Sequence, residues 1–421
     1  MLKSALIRMI YLAIMFLANL VFSNLVLPER FGTVSLLILN AALLSIITGF
    51  GMDSIVLHKV SNNIWNNSKA VQFTWRVITI QFILFWVLEL GSLQIWNKTL
   101  LSNERHSYLV IEAIYFTGLL LVEKYLALLY SFQKSLIANV ALFVIGLAYF
   151  ISLLLFYYFI KADFITVIYF FAWQSLAQGL ILIFIFHVTT NPAADKENLN
   201  NKEFVAALKL SSVVMITNII QLIAYRVDFW ILQYFYGNYE VGIYAQANKF
   251  ANLVWIVPNI LAQLLIPKFA LAAKNELPKI FSGGFYFNLS GIMASVVCAN
   301  VFYFFYLNAE YRTGLTAFYL MLPGYFFWAG VIYFGAYFSW AGKFSYNLIC
   351  SSCCFALILI ADLILIPRFG LEGAAWANTI AYTAVFILYI FILIKKYSFK
   401  WNELLLLRKK DLSTIIKFIT R

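Results

Sequence analysis

Charged side chains are scarce in this 421-residue chain: Asp, Glu, Lys and Arg together make up 11%, while 63% of residues are hydrophobic. Soluble domains carry about 25% charged residues. So little polar surface cannot cover water-facing cores, which excludes a disordered chain and an ordinary soluble enzyme. Histidine is nearly absent, with three residues in distant segments, and no HExxH, GxSxG or GxxxxGK[ST] occurs. Zinc proteolysis, serine hydrolysis and ATP hydrolysis therefore lack their residues. Cysteine is limited to Cys298, Cys350, Cys353 and Cys354, all inside apolar runs. The Cys350-Ser-Ser-Cys353 spacing has no second pair or His beside it, so these are read as small buried hydrophobes and no metal site is expected. Long polar segments are missing too. Nothing outside the apolar runs is long enough to fold as a domain, which weighs against a membrane enzyme.

What the chain has instead is a succession of apolar runs of spanning length, about 20 residues each. Broken at charge, Pro, Gly and Asn, they fall at 6–27, 33–57, 77–96, 108–131, 137–160, 164–188, 206–236, 241–266, 280–306, 314–340, 345–366 and 372–394. Lys3 and Arg8 followed by Met9 to Leu27 resemble a signal peptide, but the run is too long and no A-x-A site follows, so it is read as the first span. The expectation is an all-α integral membrane protein of about 12 transmembrane helices in two six-helix lobes. The lobes would be 1–190 and 206–395, joined by a polar linker at 191–205 and followed by a basic tail at 396–421. Near-constant offsets tie the halves together. Gly32 and Gly242 precede helices 2 and 8, Asn139 and Asn347 open helices 5 and 11, and Lys161 and Arg368 close them. Two sets of six would be parallel repeats.

The net charge of +12 has an explanation other than a polyanionic partner. With the N-terminus inside, Lys3, Arg8, Lys59, Lys69, Arg76, Lys134 and the whole basic tail fall on the cytoplasmic side. Only Arg30, Lys98, Arg105, Lys161, Arg312 and Arg368 fall outside. This is the positive-inside bias, so both termini are expected in the cytoplasm and no nucleic-acid partner is inferred. In the tail, Trp401, Leu404, Leu405, Leu412, Ile415, Ile416 and Ile419 recur at helical spacing among lysines and arginines. That pattern suits an amphipathic helix on anionic membrane lipids, or a loosely ordered basic tail.

Ionisable groups inside spans are costly and mark cavities or partners. Helix 7 aligns Ser211, Asn218, Gln221, Tyr225 and Asp228 on one face, and helix 8 aligns Tyr244, Asn248, Asn252, Trp255, Asn259 and Gln263, with Pro258 expected to kink it. Such stripes serve as interhelical hydrogen bonding or as the wall of a hydrated cavity, and their length favours the cavity. Arg226 and Lys249 flank them, while Arg8 and Lys59 lie in the first two helices. Cations facing water in an apolar bundle suit an anionic group, phosphate above all. Asp53, Asp228, Glu89 and Asp362 are candidates for coupling to H+ or Na+; no other cofactor is implied. Glu123-Lys124 is read as a self-neutralising pair near the inner surface.

Three stretches carry a family resemblance. Leu27-Pro28-Glu29-Arg30-Phe31-Gly32 with Gly49-Phe50-Gly51-Met52-Asp53 is similar to the start of a Wzx-type polysaccharide flippase. Tyr225-Arg226-Val227-Asp228, then Glu240-Val241-Gly242-Ile243-Tyr244-Ala245-Gln246-Ala247, resembles its passage from helix 7 to helix 8. Ile366-Pro367-Arg368-Phe369-Gly370-Leu371-Glu372-Gly373-Ala374-Ala375-Trp376-Ala377 is similar to its passage from helix 11 to helix 12. The resemblance implies two lobes around a V-shaped cavity and a substrate of oligosaccharide linked through pyrophosphate to undecaprenol. That substrate would be flipped across the bacterial inner membrane for O-antigen, capsule or a related polymer, with a polysaccharide polymerase and a chain-length regulator as partners. It places pyrophosphate and sugar on cationic and polar residues, here Arg226, Lys249, Tyr225, Asn218, Gln221, Asn248, Asn252 and Asn259, with Arg8 and Lys59 beside them. The chain departs from lipid II flippases, which carry two further C-terminal helices, so peptidoglycan precursor is not the expected substrate.

Three other readings stand beside it. Multidrug or cation antiport on the same fold predicts an acidic cavity. A membrane polymerase or ligase needs a large outer loop. A lipid-binding scaffold leaves the stripes unexplained.

Overall fold

The computed structural model describes residues 2–61, 64–104, 106–190, 198–265, 277–341, 343–397 and 399–405. Every element among them is helical: α1 Leu2–Gly49, α2 Met52–Ser61, α3 Asn67–Trp96, α4 Leu109–Ser131, α5 Ser135–Leu155, α6 Phe164–Thr190, α7 Asn201–Leu265, α8 Leu277–Phe305, α9 Gly314–Trp340, α10 Phe344–Tyr397 and α11 Trp401–Leu405. Helices are what such a sequence must form in lipid, where each backbone N–H and C=O needs an internal partner. The side chains of Phe159, Phe184, Met293 and Phe305 project outward, as lipid-facing groups do.

Among the described residues, seven segments are long and apolar enough to cross a membrane, so the chain is a multi-pass membrane protein. Two of them, Leu6–Gly49 and Ser345–Tyr397, run for 44 and 53 residues. At ~1.5 Å per residue these would reach ~66 and ~80 Å, more than twice the ~30 Å hydrocarbon layer. Both are broken. The first turns at Leu27 (φ 62°), whose conformation is set against helix by the following Pro28. The second turns at Gly370 (φ 56°), just after Pro367, and α7 turns at Gly237 (φ 79°). The helix expected over 33–57 is not continuous: Phe50 (φ 51°) and Gly51 (φ 64°) are both left-handed and separate α1 from α2.

The chain divides into two compact units, Met1–Leu222 and Ile223–Arg421. In the first, α4 and α6 touch backbone to backbone. A Cβ on Gly118 would lie 2.4 Å from the Leu176 nitrogen, so only glycine permits the approach. At one end Met52, Val56, Trp65, Phe73, Tyr125, Leu128 and Phe186 make a buried cluster. The start of α7 and the residues before it are clasped onto α3. Leu199 N donates to Gln72 Oε1 at 2.9 Å, Arg76 reaches Asn201 Oδ1 at 3.0 Å and the Leu199 carbonyl at 3.2 Å, and Lys69 lies 3.7 Å from Glu203. The second unit repeats the packing device of the first: a Cβ on Gly324 of α9 would meet Thr379 Cα of α10 at 2.5 Å.

The asparagines that seemed to match in the two halves both bind tyrosine. Tyr130 Oη donates to Asn139 Oδ1 at 2.8 Å in the first unit, and Tyr389 Oη to Asn347 Oδ1 at 3.0 Å in the second. All four cysteines are free thiols, and no group of three or more His, Cys, Asp or Glu among the described residues is placed to hold a metal ion. Most of the expected amphipathic tail, from residue 406 on, lies outside the described residues, as do residues 191–197 of the linker.

Candidate functional site

The polar face of α7 is shared between the units, so the residues it carries are described unit by unit. In the second unit, the N-terminal part of α7 brings Arg226 against the stripe on its C-terminal part. The guanidinium donates to Asn248 Oδ1 at 2.7 Å and lies over the ring of Phe229 at 5.3 Å. Asn248 gives one N–H to Tyr325 Oη at 2.9 Å, and its oxygen also accepts from Asn252 Nδ2 at 2.8 Å. Four side chains thus form one hydrogen-bonded row, and among the described residues none of its contacts is an ion pair. Lys249, half-buried and next in sequence to Asn248, is near enough to Arg226 for the two charges to act on each other.

Aromatic rings border this row. Trp255 stacks on Tyr325 with centroids 4.2 Å apart, Tyr225 meets Trp328 edge-on at 5.6 Å, and Trp328 lies 4.7 Å from Tyr382. Trp255 and Tyr225 are only partly buried, so each presents ring surface beside hydrogen-bonding groups. Sugars are held by that combination, hydroxyls on amides and ring faces on aromatics.

Two residues on from Arg226, Asp228 is buried and accepts from Tyr244 Oη and from Asn378 Nδ2, the latter at 3.0 Å. Asp362 lies close enough for the two carboxyl groups to act on each other. Asp362 is fully buried and neither of its oxygens has a hydrogen-bond partner. An unsatisfied carboxyl in such surroundings demands either a proton or a cation.

The first unit holds a second polar centre. Asn218 lines a cavity of about 350 Å³ with Asp53, Glu123 and Lys124. Lys124 pairs with Asp53 at 3.2 and 3.3 Å and also with Glu123 at 3.7 Å, so the local pair that adjacency suggested is present and a closer one across helices joins it. Lys59 borders a separate cavity of about 400 Å³ with Trp65 and Glu203.

The remaining expected residues are not brought to either centre. Gln221 is exposed, and Asn259, also exposed, donates back to the Trp255 carbonyl of its own helix at 2.9 Å. Arg8 sits over the ring of Tyr11 at 5.0 Å. Glu89 accepts from Leu100 N at 2.8 Å and Glu112 from Ser102 N at 3.0 Å, so both carboxylates hold the loop after α3. The side chain of Gln263 lies outside the described residues. Sequence reasoning missed Tyr325, Trp328 and Asn378. The first two stand in a run too uniformly aromatic to show a stripe. Asn378 had one signal, as a lone amide following Ala374-Ala375-Trp376-Ala377.

A family model described as "Polysaccharide biosynthesis protein" matches residues 3–272, well over half of the chain. The chain belongs to the polysaccharide biosynthesis protein family. No curated protein matches the sequence. Among solved structures, this member of the family is similar to the lipid II flippase MurJ in an inward closed conformation, with TM-score 0.67 and 15% identity over 100% of this chain and 90% of that one. It is similar also to an inward-facing multidrug resistance MATE family transporter of the MOP superfamily, with TM-score 0.58 and 11% identity over 91% of this chain and 96% of that one. A MOP superfamily transporter from Pyrococcus furiosus matches with TM-score 0.55 and 11% identity over 93% of each chain. At these identities the likeness establishes the fold. The fold is the one these solved structures share.

Proposed function

We propose that this polysaccharide biosynthesis protein is a flippase. In this reading it moves undecaprenyl-pyrophosphate-linked oligosaccharide from the inner to the outer leaflet of the bacterial inner membrane by alternating access, with both termini in the cytoplasm. The observation that carries it is Arg226, held by the neutral amide of Asn248 at 2.7 Å with Lys249 adjacent. Two cations beside a polar row in a membrane protein suit an anionic group of a cargo, here next to the Asp228 carboxyl on which Arg226 also acts. Pyrophosphate supplies that anion, and the amide row and ring faces beside it suit the sugars. Breaks at Leu27, Gly237 and Gly370 divide α1, α7 and α10, which supports reading the chain as about twelve spans. The family match and the likeness to a lipid II flippase point the same way.

Asp362 with Asp228 is the coupling centre in this reading, where a proton or Na+ satisfies the partnerless oxygens during the cycle. Asp53, paired to Lys124, and Glu89, bound to a loop amide, are less suited to that task. Peptidoglycan precursor and cationic drugs are the competing cargoes on this fold.

The decisive experiment is transport in proteoliposomes loaded with a pyrophosphate-linked oligosaccharide lipid. Arg226→Ala with Lys249→Ala is expected to abolish flipping while the protein stays folded and inserted. Wild-type flipping by that double variant, or export of a cationic dye by the native protein, overturns the assignment.

A further inference from the structure

The break between α1 and α2 opens the cavity of the first unit. Phe50 and Gly51 are left-handed there, and Phe50 adopts a conformation that side-chain-bearing residues seldom take, so its surroundings must hold it. The cavity, about 350 Å³, is lined among others by Ser45, Asp53, Glu123, Lys124, Tyr130 and Asn218. At ~30 Å³ per water it has the volume of roughly a dozen waters, enough for one pyranose ring.

Its charged groups are unevenly exposed. Asp53 and Glu123 expose 44% and 32% of their side chains, whereas Lys124 exposes 3% and stands behind them. One ammonium serves two carboxyl groups at the cavity wall. The place between carboxylates where a bound cation would sit is already taken by Lys124 Nζ. Gly49 makes that possible, because a Cβ there would come 3.3 Å from Nζ and 3.0 Å from Gln81 Nε2. Gln81 braces the wall from behind: its Nε2 donates to the Ser45 carbonyl at 3.0 Å, and its buried Oε1 has no hydrogen-bond partner. Ser45 Oγ in turn donates to Glu123 at 2.5 Å.

With the ammonium paired to the carboxyl groups, an anion is left with the neutral amide N–H of Asn218 and no second cation among the described lining residues. Acceptors remain in number. An ionised carboxylate offers about four lone-pair positions, of which Lys124 and Ser45 use only part. Tyr130 spends its proton on Asn139 and keeps lone pairs toward the cavity, and Asn218 adds an amide. Carboxylates accept adjacent hydroxyls in charge-assisted pairs. A third carboxylate in this low-dielectric space would be repelled.

We propose that this cavity is a sugar subsite that takes a non-acidic monosaccharide, neutral or amino-bearing, and rejects a sugar acid. The proposal rests on the flippase reading and adds to it which units of an oligosaccharide the first unit of the protein accepts. Lys124 is a positioning residue: it orders the carboxylates and does not touch the ligand.

The test uses the full chain in lipid nanodiscs with methyl α-glucoside, methyl α-glucosaminide and methyl α-glucuronide as probes, read by saturation-transfer NMR. The first two are expected to take up saturation and the glucuronide about tenfold less. Asp53→Asn and Glu123→Gln should each weaken the neutral-sugar signal several-fold, and Ala127→Phe, at a residue that also lines the cavity, should fill it and remove the signal. Equal saturation by the glucuronide, no saturation by any probe, or a neutral-sugar signal that survives all three substitutions overturns the proposal. Binding of farnesyl pyrophosphate, measured on the same samples, separates the two readings. If it binds the native protein and the variants while the glycosides fail, the sugar subsite falls and the flippase reading stands. If the glycosides bind and farnesyl pyrophosphate does not, the flippase reading falls.

Discussion

Arg226 donates to Asn248 across 2.7 Å, and the acceptor is an amide oxygen where a carboxylate would have cancelled the charge. Changing that one atom type tests what the charge is for. Asn248→Asp keeps the shape of the site and places a carboxylate directly against the guanidinium. It is expected to weaken binding of farnesyl pyrophosphate about tenfold or more, a loss of at least ~1.4 kcal/mol, while leaving thermal stability in detergent unchanged or slightly raised. Asn248→Ala should cost less binding, because it removes positioning and adds no competing anion.

Asp362 offers the opposite trade. Its carboxyl is buried without hydrogen-bond partners, which is a liability to folding. Asp362→Asn removes the ionisable group in place, so the melting temperature is expected to stay level or rise. Transport driven by a proton or sodium gradient is expected to disappear. Gradient-driven flipping in proteoliposomes, measured beside the melting curve, checks both halves of this statement.

Lys124 is the reverse case, a cation whose removal leaves two carboxylates facing each other. Lys124→Met is expected to destabilise the first unit by about 3 kcal/mol, toward the low end for breaking a buried pair because both carboxylates are partly exposed to the cavity. Lys124→Met combined with Asp53→Asn should recover part of that loss. Yield of monodisperse protein and melting temperature report the difference.

The helix contacts at Gly118 and Gly324 have no room for a methyl group, since a Cβ would stand 2.4 and 2.5 Å from backbone atoms of the facing helix. Gly118→Ala and Gly324→Ala are each expected to cost about 1–3 kcal/mol through forced separation of the helices. Gly91→Ala, with nothing within 4 Å of its Cβ, serves as the silent control in the same melting assay.

The long apolar runs were legible because lipid demands about 20 residues per crossing, and the bend at Leu27 was foreseeable from Pro28. The break at Phe50–Gly51 had a signal in Gly49, Gly51 and Asp53, but the run over 33–57 reads as one span because its length suits a single crossing. Helical spacing correctly grouped Asn248 with Asn252 but carried on to Asn259, which satisfies itself on its own backbone instead. Spacing gives direction around one helix and says nothing of what faces it. The Asp53–Lys124 pair is 71 positions apart in sequence and the Asp228–Asn378 pair 150, and no linear pattern joins either. Glu123 sat beside Lys124 in sequence and drew the pairing that Asp53 in fact provides more closely.

The four free thiols have a practical side. With no cross-link to preserve, Cys298, Cys350, Cys353 and Cys354 can all be replaced, the two buried ones by alanine, to give a thiol-free background. Single cysteines can then be introduced in pairs, one in each unit, and spin-labelled. Pulsed-resonance distances collected with and without a pyrophosphate lipid would turn the transport cycle into a set of measured populations.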